Sequence, residues 1–327
     1  MLIKTALTKR LGIAHPVLLA PMDLVADATL TAAVSDAGGL GILGGGYGDA
    51  KWLTRELDLL AGRGTRFGVG FITWSMAKQP NLLELALERK PVAAMLSFGD
   101  PTPFIERIKR ANAIAICQVQ SLALAKEAMA AGTDIIVAQG SEGGGHGAAR
   151  GLSALLPEIV DAVGDKALVV AAGGIADGRG LAAALMLGAS GVLMGTRFYA
   201  STEAAGFDAA KERIRRTDGD ATLRSIVFDL SRRNVWPAPF TGRCLRNQHL
   251  DNWFGRELDL LRNLEPESTK YAAARVEGNF DIAAVIAGES AGLVREILPA
   301  RDIVERMVRD AATLMKYGAR DVEVVET

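Results

Sequence analysis

Eight short apolar runs punctuate residues 16–196, and their number constrains the fold more than any other feature. They are PVLLAP (16–21), LGILGG (40–45), FGVGFI (67–72), VAAMLS (92–97), AIAICQV (113–119), DIIVAQ (134–139), ALVVAAGG (167–174) and GVLMGT (191–196). Each is apolar throughout rather than alternating, the pattern of a strand buried on both faces of a parallel sheet. Segments of helical periodicity lie between them with good boundary residues. Asp27 to Ala37 stops at Gly38-Gly39, Ser121 opens a segment that ends at Gly132, and Asp177 precedes GRGLAAALMLGA. Repeated strand-then-helix units argue for right-handed crossovers. Eight such units close an α/β fold of the (β/α)8 TIM barrel type. An open doubly wound sheet is the competing architecture, and the count favours the barrel.

After Ser201 the pattern changes. Residues 207–289 carry charge and aromatic groups, including RRTDGD, SRRNVWPAPF and NQHLDNWFGREL, with no further buried-strand run. This reads as a mainly helical insertion. From Pro299 to Tyr317, the apolar positions Ile303, Val304, Met307, Val308, Ala311, Ala312 and Met315 have the spacing of an amphipathic helix that returns to the barrel. The expected organisation is therefore a barrel from 1–206 and 290–327, with 207–289 capping the substrate.

Composition narrows the function. With 49% hydrophobic and 23% charged residues, the chain has the balance of a soluble globular protein. A net charge of -1, with no basic block, makes nucleic acid a poor partner. Lys4, Lys9, Arg10 and His15 interrupt the N-terminal apolar residues, so no signal-peptide core forms. No run approaches the roughly 18 apolar residues of a membrane span, and the default location is the cytoplasm. Cys117 and Cys244 have no metal-ligand spacing, and Cys117 reads as a reduced core thiol. Neither His15 nor His249 is spaced to share a metal with His146, so no metal is expected. His15 reads as a lead-in to the first strand, His249 as part of a surface helix.

Barrel sites lie at the carboxyl ends of the strands. In VAQGSEGGGH (137–146), a strand run passes straight into a glycine-dense turn that carries His146 out of the core. A neutral imidazole there suits a general base near neutral pH, the alternative being a loop histidine bonded to backbone. Glu142 reads as facing water. The turns after the seventh and eighth runs, AAGGIADGRG and LMGTRF, offer an anion the amides of Gly173, Gly174 and Gly195 and the Thr196 hydroxyl. The following helix N-terminus adds favourable partial charge. At the other strand ends Ala20, Pro21, Met22, Gly70, Gln118 and Gln139 form a rim suited to a flat, mostly neutral heteroaromatic ring. No dinucleotide-binding GxGxxG follows the first strand, and no nucleophile elbow or P-loop occurs.

These motifs together resemble the nitronate monooxygenase family, formerly called 2-nitropropane dioxygenases. The matching segments are APM (20–22), AGGLGIL (37–43), AQGSEGGGHGA (138–148), AAGGIADGRG (171–180), GASGVLMGTRF (188–198) and SAGL (290–293). The resemblance covers nearly the whole chain. It implies an FMN-dependent barrel in which His146 is catalytic and Gly173, Gly174, Gly195 and Thr196 hold the FMN phosphate. Met22, Gln118, Gln139, Gly144, Ser290 and Gly292 would then lie near the rest of the flavin. The implied reaction converts alkyl nitronates, and O2, to carbonyl compounds and nitrite; for a neutral nitroalkane the α-proton must first be removed. This chain departs from the family pattern at Gly70, where some members carry Asn, losing one amide contact.

Relatives in the same superfamily are NAD(P)H-dependent reductases of quinones or enoyl-acyl-carrier-protein thioesters, and this alternative stays open. It calls for a basic patch at the entrance, for which Arg232, Arg233, Arg243 and Arg246 are candidates, while WPAPF and NWFG are expected to line that entrance. A non-catalytic flavin- or phosphate-binding protein is the third reading. Barrels often pair, which allows a homodimer, but no stripe specifies an interface.

Overall fold

The computed structural model describes residues 2–318. In chain order its strands are β1 (Val17–Leu19), β2 (Gly41–Gly44), β3 (Phe67–Ile72), β4 (Ala93–Ser97), β5 (Ile114–Val119), β6 (Ile135–Gln139), β7 (Gly145–Gly147), β8 (Leu168–Ala172), β9 (Val192–Met194), β10 (Thr222–Ser225) and β11 (Thr241–Leu245). Eight of them pair in parallel in the order β1, β9, β8, β6, β5, β4, β3, β2. The ring closes between β1 and β2. There the Leu19 N–H donates to Leu40 O and the Leu40 N–H to Val17 O, each at 3.0 Å. All eight apolar runs thus become barrel strands.

The barrel interior is filled by side chains such as Leu18, Ile42, Met95, Ile116, Val137, Val170 and Leu193. Leu7 and Leu11 of the short helix Ala6–Leu11 join this cluster, and Leu7 packs on Gly191 at the amino end of β9. That end is therefore stoppered, and the opposite end is left for a site. Outside the ring, a second cluster joins the strands to the surrounding helices. Asp27, Ser121 and Asp177 cap helices Ala28–Asp36, Leu122–Ala130 and Gly178–Met186 by accepting from N-terminal backbone N–H groups. The closing amphipathic helix, Ala300–Tyr317, buries Ile303, Val304, Met307, Val308 and Ala311. It lies so close to helix Gly178–Met186 that a Cβ at Gly178 would stand 2.6 Å from the Ala311 nitrogen.

The segment 207–289 contains helices, among them Asp208–Arg216, Val227–Ser231 and Leu264–Glu277, but it is not free of strands. Strands β10 and β11 pair antiparallel, and β11 pairs in turn with β7 of the barrel loop, setting Gly242 opposite His146. Neither TLRS nor TGRCL is an apolar run, because each carries an arginine in its middle, Arg224 paired opposite Arg243. Among the described residues, no helix is long and apolar enough to cross a membrane.

Candidate active site

A cavity of about 430 Å³ opens at the carboxyl ends of the strands, a size within the range of small-molecule sites. Ala20, Pro21, Met22, Gly70, Gln118, Gln139, Gly144, His146, Gly173, Gly174, Gly195, Thr196 and Ser290 all line it. Gly292 does not. It packs against Gly219, where a Cβ would meet the backbone nitrogen at 2.8 Å.

His146 is buried on strand β7, and its Nε2 lies 2.9 Å from Asp229 Oδ2 on helix Val227–Ser231. A carboxylate can only accept, so Nε2 carries the proton and Nδ1 holds the lone pair. Asp229 is held in turn by Arg232, whose Nη2 donates to Oδ1 at 2.9 Å. Burial lowers the pKa of His146 below its ordinary 6.5, against the raising effect of Asp229. The imidazole is thus neutral at pH 7, the form a base requires.

One face of the ring is covered. Trp236 stacks on it with 3.3 Å between centroids and 6° between planes. The Trp236 Nε1–H donates to the Tyr47 hydroxyl at 3.0 Å, and Trp74 and Phe98 meet Trp236 edge-on at 5.4 and 5.1 Å. WPAPF therefore supplies the wall through Trp236. NWFG does not: Trp253 donates to Glu267, and Phe254 is exposed outside the cavity.

The loop that carries His146 is tied down at several points. Arg224 donates to Ser141 O, Gly143 O and Gly145 O at 3.0, 3.1 and 3.3 Å, and Arg243 to Ser141 O at 3.0 Å. Glu142, expected to face water, instead accepts from the Leu152 N–H at 2.9 Å. Gln139 is also part of this support. Its Nε2 donates to His146 O at 3.0 Å, and its Oε1 accepts from Gln118 and Gln120 at 3.1 and 2.8 Å. Of the two glutamines expected on a ring rim, Gln118 retains the freer amide.

On the opposite wall, Gly173 and Gly174 adopt φ of 99° and 72°, a left-handed conformation that favours glycine. The backbone N–H groups of Gly174, Gly195 and Thr196 donate to no described residue. Gly195 leaves open room: a Cβ there would come no closer than 3.5 Å to Ala20 and Met22. Free N–H groups of this kind are chemically suited to an anion. The N-terminus of helix Gly178–Met186 does not contribute, because Asp177 already accepts from Arg179 N and Gly180 N.

Other expectations are also corrected. His249 is buried rather than on a surface helix, with Nε2 2.8 Å from Ser231 Oγ and its ring among Phe228 and Tyr271. The four arginines of the supposed basic patch are paired, Arg232 with Asp229, Arg233 with Glu265, Arg243 with Glu289 and Arg246 with Asp251. Cys117, by contrast, is the buried free thiol it was expected to be, and Cys244 is another. The sequence pointed to Arg232 only as part of a basic patch and gave no sign of Asp229, Tyr47 or Asp23. None stands in a motif, and the signal they carry is only their meeting in space.

Comparison with known proteins gives the arrangement its family. A family model described as nitronate monooxygenase matches residues 4–62 and 72–310. Nitronate monooxygenase npaC of Metarhizium robertsii is 38% identical over 90% of this chain and 90% of its own length. An indene-carboxyl-CoA dehydrogenase of Mycobacterium tuberculosis is 31% identical over 99% of this chain and 100% of its own. The solved structure of FabK from Thermotoga maritima superposes with a TM-score of 0.86 at 32% identity, covering 96% of this chain and 98% of that one. With its glycine turns and His146 in one cavity at the mouth of a closed barrel, the chain belongs to the nitronate monooxygenase family and is an oxidoreductase.

Proposed function

We propose that the protein is an FMN-dependent nitronate monooxygenase that oxidises alkyl nitronates with O2 to carbonyl compounds and nitrite. The observation that carries this reading is a neutral, buried His146 with its lone pair on Nδ1, in the same cavity as an unsatisfied anion seat. The cavity residues fit FMN. Gly174, Gly195 and Thr196 supply free N–H donors for a phosphate, and the missing Cβ at Gly195 leaves room for it. Met22, Gly70 and Gln118 would border the ring. When bound, FMN supplies the electron transfer that links substrate to oxygen.

The chain's own residues do the rest. His146 can take the α-proton of a neutral nitroalkane at Nδ1, while Asp229 fixes the tautomer and stabilises the positive charge that develops. A preformed nitronate needs no such transfer. Trp236 and Phe98 exclude water and present an apolar wall to an alkyl chain, and Trp74 packs edge-on against Trp236. The segment 207–289 acts as the cap because it delivers Asp229, Arg232 and Trp236 to the cavity.

The test is anaerobic stopped-flow mixing of the FMN-loaded protein with propyl nitronate, and separately with NADH or NADPH. Rapid loss of oxidised flavin absorbance with nitronate alone is the expected result. Reduction by a nicotinamide with no response to nitronate overturns the reading in favour of a quinone or enoyl-thioester reductase.

A further inference from the structure

We propose that Arg232 and Tyr47 together hold the anionic head of the substrate beside His146. This rests on the nitronate reading and names the residues that recognise the anion. Arg232 ends helix Val227–Ser231 and lines the cavity with a side chain only 14% exposed. Its Nε donates to Phe228 O at 3.2 Å and its Nη2 to Asp229 Oδ1 at 2.9 Å. Its Nη1 bonds to no described residue. A guanidinium fixed at two points with one edge open to the cavity is already oriented before any ligand arrives.

Tyr47 provides a second donor. Its oxygen accepts from the Trp236 Nε1–H at 3.0 Å, while its own hydrogen has no described acceptor. Burial pushes the phenol up to about 12, so it remains protonated near neutral pH. Arg232 lies near enough to Tyr47 to act on its ionisation, and both line the cavity.

The two donors are tied to the base by different routes. Arg232 holds Asp229, which holds His146, and Tyr47 holds Trp236, which stacks on His146. An anion that accepts from both therefore lies beside the imidazole. A nitronate offers two oxygens on one planar nitrogen. It matches two donors in a way that a neutral ligand with one carbonyl does not.

Charge around the seat is consistent with this. Asp229 is occupied by Arg232 and His146, and burial raises the pKa of the other cavity carboxyl, Asp23. Arg275 at the cavity wall is exposed and adds positive charge.

The test uses butyrate, a planar two-oxygen anion that cannot react, and its neutral counterpart butyramide. Binding to the FMN-loaded protein is followed by calorimetry and by tryptophan fluorescence, with Trp74 and Trp236 beside the seat. Butyrate should bind about tenfold or more tightly than butyramide, the size of effect expected of a charge-assisted hydrogen bond. Arg232→Met should weaken butyrate by about tenfold, and Tyr47→Phe by about threefold or more. Arg233→Met, next in sequence but paired with Glu265 outside the cavity, should change it by less than about twofold.

Equal binding of butyrate and butyramide by the wild type overturns the proposal, as does unchanged butyrate affinity in both variants. If Arg232→Met fails to fold because it strands Asp229, Tyr47→Phe and the butyrate preference decide. Butyrate preference without nitronate turnover keeps the seat and rejects the reaction. Turnover with butyrate binding indifferent to both residues rejects the seat alone.

Discussion

Asp229→Asn tests how the base is set. In the native site, Oδ1 accepts from Arg232 and Oδ2 from His146, each at 2.9 Å. An amide cannot do both. If its oxygen faces Arg232, its NH2 faces Nε2, forcing the histidine proton onto Nδ1 and removing the lone pair from its working position. If its oxygen faces His146, its NH2 opposes the guanidinium. Either orientation sacrifices one charge-assisted hydrogen bond, worth about 1.5–3 kcal/mol. At about 1.4 kcal/mol per decade, that is a loss of roughly 10- to 150-fold in a step that needs the base. The assay compares kcat/KM for 1-nitropropane with that for preformed propyl nitronate. The nitroalkane rate should fall by this amount more than the nitronate rate, since no proton is removed from the nitronate and any loss through Arg232 is common to both substrates. Equal losses on both substrates in a folded, FMN-loaded variant, or no loss on either, would refute the assignment of Asp229 to the base.

Gly195→Ala should intrude on the anion seat and weaken FMN retention, measured by flavin absorbance kept after desalting. The melting temperature of the flavin-free protein should barely move, because a Cβ there meets no protein atom within 3.4 Å. Gly70→Asn should not restore the amide found in some relatives but destabilise the fold by about 1–3 kcal/mol in a thermal melt, since its Cβ would stand 2.4 Å from the Pro21 ring. Trp236→Ala should let water reach His146 and raise its lowered pKa toward 6.5, moving the acid limb of the kcat/KM profile to higher pH. Folding holds His146 neutral, so its contribution to stability is complete above its unfolded value of 6.5 and is lost as pH falls below it. The wild-type melting temperature should therefore drop more between pH 7 and mildly acidic pH than that of His146→Gln.

The barrel was legible because a strand buried on both faces has to be apolar at every position, and the caps Asp27, Ser121 and Asp177 marked where helices begin. The strands β10 and β11 were not, since Arg224 and Arg243 face carbonyls of the loop that carries His146 and read as surface charge. His146 stood out because glycines isolate it. Its partner did not: Asp229 lies 83 residues further on, and nothing local distinguishes it from a solvated aspartate. Asp177 illustrates the opposite error. The turn invites an anion to the helix end, but the chain supplies its own carboxylate there first. Gln139 likewise looked available and is committed to His146 O.

The edge-to-edge pairing of β7 with β11 makes His146 a joint property of two parts of the chain. Its side chain grows from the barrel loop, but its backbone neighbour, its carboxylate partner and its aromatic cover all come from 207–289. Exchanging that segment between relatives would therefore transplant the Trp236 face of the cavity and the proton affinity of His146 in a single step. Exchanging barrel loops alone would leave both with the recipient. In a chimera series, substrate preference and operating pH should travel as one trait.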